Sequence, residues 1–255
     1  MKKNKKKVII ANIKMNGSLH FNEAYLAEIK GNFNNFKNLN ICLCVPYPYL
    51  FQAKKILNNT KISWGSQNVA KFENGPHTGE VSAAMIKEFG SKYVIVGHSE
   101  RNTAYCESDE NIADKFKKIK KYNMTPVLCV GETLIEREAG IMERVVSSQI
   151  EVIIKTYGAQ VFENSIIAYE PIWAIGSDTA ATPDQANKMC NFIMGFISKK
   201  HKCDLKNFNI IYGGSVNRKN AVQLFASESL DGVLIGRASI NFDEFNQICF
   251  AAENN

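Results

Sequence analysis

Glu170 closes the apolar run Ser165-Ile166-Ile167-Ala168-Tyr169 and is followed at once by Pro171-Ile172-Trp173-Ala174-Ile175-Gly176. An ionised carboxylate is among the groups least often buried, so one at the end of a buried strand points to chemistry rather than packing. The residues after it read as a hinge and an apolar flap tip with a glycine. They lead to a helix start at Thr182-Pro183-Asp184, with Thr as cap and Pro at the first helical position. A carboxylate beside a segment that can exclude water is equipped to act as a general base. His98, in Val94-Ile95-Val96-Gly97-His98-Ser99-Glu100-Arg101, follows a glycine at another strand end, where the next residues can open a short helix. Helix N-terminal N–H groups disfavour a cation, so the imidazole there is held neutral, able to donate to a carbonyl oxygen and hand over a proton. Lys14 stands just past the first strand, between Asn12 and Asn16. Two glycine-bearing loops, Tyr212-Gly213-Gly214-Ser215-Val216-Asn217 and Gly232-Val233-Leu234-Ile235-Gly236-Arg237-Ala238-Ser239, let backbone N–H groups approach an anion. Each signal alone has an ordinary reading as a surface lysine, a structural histidine or turn glycines; their placement decides between the two.

Short β-branched runs alternate with amphipathic stretches along the whole chain. Strands are expected over 7–12, 40–45, 61–65, 92–97, 125–130, 165–170, 208–213 and 231–235, and the clearest helices over 108–122, 142–157, 183–200 and 218–226. Strands alternating with helices imply a parallel sheet, and near-continuous apolar strands imply burial on both faces. Eight such units in 255 residues match a closed (β/α)8 TIM barrel of the α/β class, folded as one domain over 8–255, with an open doubly wound sheet as the alternative. In a barrel the C-terminal strand ends share one rim. Asn12 and Lys14, Gln67 and Asn68, His98 and Glu100, Glu132, Glu170, Ser215, Gly236 and Arg237 all fall there, and the last two loops are where such barrels commonly hold phosphate. The third loop, from Gln67 through Gly75-Pro76-His77-Thr78-Gly79-Glu80, is too long for a routine connection and points to function or a partner.

Composition narrows the classes further. The net charge of +6 is modest and much of it sits in the leader Met1–Lys7, read as a solvated basic segment, so nucleic acid is not implied. No apolar run approaches a membrane span, and Val8-Ile9-Ile10-Ala11 is too short for a signal sequence. Seven cysteines, several alternating inside apolar runs, read as small hydrophobes in a reducing compartment, the cytoplasm. Cys42 and Cys44 lie two apart with no partner at zinc spacing, which argues against a metal.

Val96-Gly97-His98-Ser99-Glu100-Arg101, Tyr169-Glu170-Pro171-Ile172-Trp173-Ala174-Ile175-Gly176 and Tyr212-Gly213-Gly214-Ser215 together resemble the triosephosphate isomerase family, in its order and spacing, from Ala11-Asn12 to Arg237-Ala238-Ser239. The resemblance implies interconversion of dihydroxyacetone phosphate and glyceraldehyde 3-phosphate, with no cofactor and no metal. It implies Glu170 as the base and His98 as the electrophile. Asn12 and Lys14 would orient substrate and stabilise negative charge, with Glu100 in the same polar cluster. Backbone N–H groups of Gly176, Ser215, Gly236 and Arg237 would hold the phosphate. It further implies a homodimer in which the loop around Thr78 enters the partner near Asn12 and Lys14. Four positions depart from the family pattern. Ile13 replaces an aromatic residue, Asn102 a second arginine and Arg237 a second glycine, and the lid reads Gly176-Ser177-Asp178-Thr179-Ala180-Ala181 without the usual Gly-Lys-Thr. These bear on lid closure and phosphate affinity and leave every catalytic group in place. Two rival readings remain: another sugar-phosphate barrel enzyme, an epimerase or lyase, and a non-catalytic barrel used as a binding protein. The first generally needs paired acids or metal ligands on several strands, and the second would be favoured by loss of Lys14, His98 or Glu170.

Overall fold

The computed structural model describes residues 5–175, 180–201, 205–227 and 229–255. Eight parallel strands close a barrel in chain order: β1 (Lys7–Asn12), β2 (Leu39–Val45), β3 (Ser63–Ser66), β4 (Tyr93–Val96), β5 (Thr125–Val130), β6 (Ile166–Tyr169), β7 (Asn209–Tyr212) and β8 (Gly232–Ile235). Closure runs through β1, which pairs with β2 from Lys7↔Leu39 to Asn12↔Cys44 and with β8 from Val8↔Gly232 to Ala11↔Ile235. The open-sheet alternative is therefore excluded.

Alternation along each strand divides the apolar residues into two groups. Val8, Ile10, Cys42, Cys44, Ile95, Val127, Cys129, Ile166, Ala168, Ile211 and Leu234 fill the barrel interior with Tyr93. Ile9, Ala11, Ile41, Leu43, Val94, Leu128, Ile167, Ile210 and Val233 belong to the larger layer between barrel and helices. Continuing the inner file by two residues lands on Asn12 from Ile10, Glu170 from Ala168, Gly213 from Ile211 and Gly236 from Leu234. The same period that packs the interior thus brings these four residues to the rim.

The expected element boundaries hold to within a few residues. Strand 61–65 begins only at Ser63, because Asn34 Oδ1 accepts from Lys61 N–H and Thr60 Oγ1 from Ile62 N–H before the ladder starts. The helix expected over 218–226 is confined to Ala221–Phe225, since Asn217 Oδ1 first accepts from the N–H groups of Lys219 and Asn220 in a side-chain-closed turn. Helix Asp109–Lys121 carries the expected signals: Ser108 caps it, Asp109 and Glu110 open it, and Lys118, Lys120 and Lys121 close it in accord with the helix dipole. Helix Pro183–His201 starts where Thr182 and Gln185 satisfy one another's backbone N–H groups. At the opposite end of the barrel the basic leader is partly tied down. Lys7 begins β1 and its ammonium donates to Leu230 O at 2.7 Å, while Lys5 donates to Phe208 O at 2.8 Å and pairs with Asp231 at 3.2 Å.

Candidate active site

The rim encloses a cavity of about 750 Å³ lined by Asn12, Lys14, His98, Glu170, Ser215, Gly236 and Arg237, among others. These seven meet in one place as expected from sequence, whereas Gln67, Asn68 and Glu100 line a neighbouring cavity that shares Asn12, Lys14 and His98 with it, and Glu132 lines neither. Gly176, and with it Ser177, Asp178 and Thr179 of the lid, lies outside the described residues.

Glu170 is 1 % exposed, and neither carboxylate oxygen has a hydrogen-bond partner of good geometry. Burial pushes its pKa up, opposed by His98, the Cys129 thiol, Lys14 and the Ser99 N–H. Such a carboxylate is a stronger base than an exposed one once ionised, because the surroundings do little to satisfy its charge. Its main chain is held rigidly: Glu170 N–H donates to Val130 O, and Gly213 N–H to Tyr169 O, each at 2.8 Å. Gly213 is glycine for a local reason. A Cβ there would stand 2.6 Å from Glu170 Cγ, inside van der Waals contact.

His98 faces the base, with Nε2 at 3.4 Å from Glu170 Oε1. It reaches the cavity because Gly97, at φ +71, turns the chain where a continued strand would have pointed residue 98 outward. Its Nδ1 accepts from Glu100 N–H at 3.3 Å and caps helix Ser99–Tyr105. An accepting Nδ1 carries no proton, so the tautomer that fits has the proton on Nε2, directed at the cavity. Lys14 is built with equal care. It adopts φ +55, a left-handed conformation rare for a side-chain-bearing residue. Asn12 Oδ1 accepts its N–H at 3.1 Å, and Gln67 donates to its carbonyl at 3.0 Å while also donating to Cys44 O. The Lys14 ammonium pairs with Glu100 and its stem lies over Gly236.

Three residues with structural rather than substrate-facing duties emerge at the rim. Glu132, expected from its strand-end position to face the cavity chemistry, is instead fully buried beneath the start of the lid. Tyr169 Oη, Trp173 Nε1 and Arg137 Nη1 donate to its carboxylate at 3.0, 2.9 and 3.1 Å. Tyr212 Oη accepts from Ala181 N–H at 3.2 Å and so fastens the far end of the lid. Cys129 sits in the inner file below Glu170 and acts on the base's environment. Strand alternation carries the signal for Gly213 and Cys129; Tyr169 and Trp173, which hold Glu132, and Ala181, which meets Tyr212, lie too far off in sequence to be read locally. Among the described residues no group of three or more His, Cys, Asp or Glu side chains is placed to hold a metal ion, and no helix is long and apolar enough to cross a membrane.

A second cavity of about 430 Å³ opens on the other side of Lys14, lined by Met15, Tyr47, Gln67, Glu100, Arg101 and Tyr105, among others. Met15 is almost fully exposed there. The third loop is an excursion closed on itself. Ala70 N–H donates to Val81 O across its base, and the Phe72 ring stacks on His77 at 3.7 Å between centroids.

Comparison with known proteins agrees with this geometry. The family model described as Triosephosphate isomerase matches residues 7–252. The triosephosphate isomerase of Nitrosomonas eutropha is 44% identical over 246 residues, covering 96% of this chain and 98% of that protein. That of Thiobacillus denitrificans is 44% identical over 248 residues, covering 97% and 99%. The crystal structure of triosephosphate isomerase from Bartonella henselae superposes with a TM-score of 0.87 at 33% identity, covering 96% of this chain and 98% of that one.

Proposed function

The chain belongs to the triosephosphate isomerase family, and from that membership we infer how its own residues divide the work. The reaction is the interconversion of dihydroxyacetone phosphate and D-glyceraldehyde 3-phosphate, an aldose–ketose isomerisation within one molecule. Glu170 removes a proton from C1 of the ketose. The C–H electron pair becomes the C1–C2 double bond, and the C2 oxygen takes up the displaced pair as an enediolate. His98 Nε2–H and the Lys14 ammonium donate to that oxygen, with Asn12 orienting the substrate beside them. Glu170 then returns its proton to C2 while His98 passes the O1 hydroxyl proton to O2, leaving the aldehyde. The phosphate rests on the backbone N–H groups of Gly176, Ser215, Gly236 and Arg237. Glu100 supports both Lys14 and His98. The observation that carries this assignment is the facing pair Glu170 and His98, 3.4 Å apart on a cavity whose other wall is formed by the loops after β7 and β8.

A turnover assay with D-glyceraldehyde 3-phosphate, coupled to NADH oxidation through a dehydrogenase specific for the ketose, tests the reading. Turnover lost in Glu170 and His98 variants supports it. Turnover absent in the wild type would favour the epimerase, lyase or non-catalytic alternatives.

The altered phosphate loop gives a kinetic expectation. The Arg237 side chain is exposed and borders the cavity. Attraction between its charge and a dianionic phosphate is felt equally before and during reaction, so Arg237→Gly should raise KM about 2–5-fold and leave kcat nearly unchanged. The effect should shrink as salt is added. An unchanged KM at low ionic strength would mean that only the backbone N–H takes part.

We propose that the working unit is a homodimer, with the exposed tip around Thr78 seated in the partner's cavity beside Lys14. The long third loop, closed at its base by Ala70 and Val81, and the cavity of about 430 Å³ beside Lys14 are the features that support this. Obligate dimers bury about 2,000 Å² or more, and a charge at the loop tip is poorly tolerated there. Thr78→Glu should shift sedimentation toward the monomer and lower specific activity in parallel; a fully active monomer would overturn the proposal. A cytoplasmic location is proposed on the free thiols of Cys42, Cys44, Cys106, Cys129, Cys190 and Cys249.

A further inference from the structure

Tyr25 lies in the middle of helix Leu19–Phe33, 5 % exposed, on a buried face shared with Asn22, Leu26, Ile29 and Phe33. A phenol is an expensive choice for that position unless its hydroxyl finds a partner. It finds one far away in sequence: Tyr25 Oη donates to the main-chain carbonyl of Ser239. Ser239 belongs to the single helical turn Arg237–Ile240 that follows β8, and it is fully buried. The last carbonyls of any helix have no partner within it, so a turn this short depends on outside donors to stay wound. Ser239 completes the clamp from the other side. Its hydroxyl donates to Gly236 O at 2.7 Å and lies 3.3 Å from Asn12 O, while its N–H donates to Gly236 O at 2.9 Å. Burial raises the phenol's pKa further above its ordinary value, with small additions from Cys249 and Glu28, so the hydroxyl remains a donor throughout the working range.

Gly236 and Arg237, at the opposite end of this turn, line the cavity. We propose that Tyr25 is a positioning residue for the substrate phosphate: by holding Ser239 it fixes the turn whose N-terminal N–H groups bind the anion. The inference rests on the phosphate-loop reading above. It also joins the helix that follows the Lys14 segment to the phosphate turn, so the two halves of the site keep their spacing.

Tyr25→Phe removes only the hydroxyl and keeps the ring that stacks on Phe21 at 5.5 Å. Loss of one hydrogen bond on the phosphate side should raise KM for D-glyceraldehyde 3-phosphate about 3–10-fold and leave kcat within about 2-fold. The inhibition constant of inorganic phosphate should rise by the same factor, while turnover of unphosphorylated D-glyceraldehyde stays as it was. Tyr25→Leu, which also loses ring packing, should match the phenylalanine variant in KM and phosphate inhibition while melting at a lower temperature. A hydroxyl that serves only the fold would lower the melting temperature and leave KM and phosphate inhibition unmoved; that result overturns the proposal. If inorganic phosphate fails to inhibit the wild type competitively, the phosphate-loop reading and this inference fall together.

Discussion

Replacing Glu170 with Gln should cut kcat about 10²–10⁴-fold and, at neutral pH, make the protein harder to melt. Both expectations come from one observation, a carboxylate 1 % exposed with no hydrogen bond of good geometry to either oxygen. Glutamine keeps the shape and cannot accept the substrate proton. The stability effect follows from linkage. Burial raises the carboxyl's pKa in the folded chain, so the folded state holds that proton more tightly than the unfolded state does. The group's contribution is fully present below its unfolded value of about 4.3 and is lost as pH rises through the raised folded value. The melting-temperature advantage of Glu170→Gln should therefore widen with rising pH and close at acid pH. For the same reason the acid limb of kcat/KM in the wild type should lie above the ordinary carboxylate range. A variant with near-full kcat would remove Glu170 as the base; an advantage that grew toward low pH would contradict the burial argument.

Lys14→Met should cost about 10²–10³-fold in kcat/KM with little loss of folded protein. Methionine keeps most of the aliphatic stem, and the left-handed backbone at φ +55 is held by main-chain bonds to Asn12 and Gln67 that do not involve the ammonium. What disappears is the cation that pairs with Glu100 and stands over Gly236. On the proposed assignment, removing it would withdraw a donor from the developing enediolate and leave Glu100 unneutralised beside a dianionic substrate. The two losses act in the same direction. Kinetics at several salt concentrations, with circular dichroism as the fold control, measure the effect; a drop of less than about 10-fold would place Lys14 outside the reacting shell.

The barrel was legible because one rule, alternation by two, served both packing and chemistry. Reading Val8, Ile10 and then Asn12, or Ile166, Ala168 and then Glu170, gives the interior and the rim at once. His98 was legible for a different reason, the glycine before it, whose φ of +71 breaks the alternation where the site needs a side chain turned inward. Glu132 misled because a carboxylate at a strand end looks alike whether it faces substrate or the indole of Trp173, the phenol of Tyr169 and Arg137. Tyr25 gave no local signal. Its helix has weak periodicity, with His20, Asn22 and Glu23 interrupting the apolar stripe, and its partner Ser239 comes from the last barrel unit. Local rules reach the rim positions; only the closed barrel reveals which distant backbone groups depend on them.

The proposed function requires Glu170 to carry a carbon-bound proton between C1 and C2 of the triose phosphate. Incubating the purified protein with D-glyceraldehyde 3-phosphate in deuterium oxide and following the product by proton NMR tests it most directly. The proton held on the carboxylate exchanges with solvent before it is returned, so dihydroxyacetone phosphate carrying one deuterium at C1 should accumulate with the wild type and almost none with Glu170→Gln. No conversion, or equal conversion and labelling by the two proteins, would rule out Glu170 as the carrier of that proton.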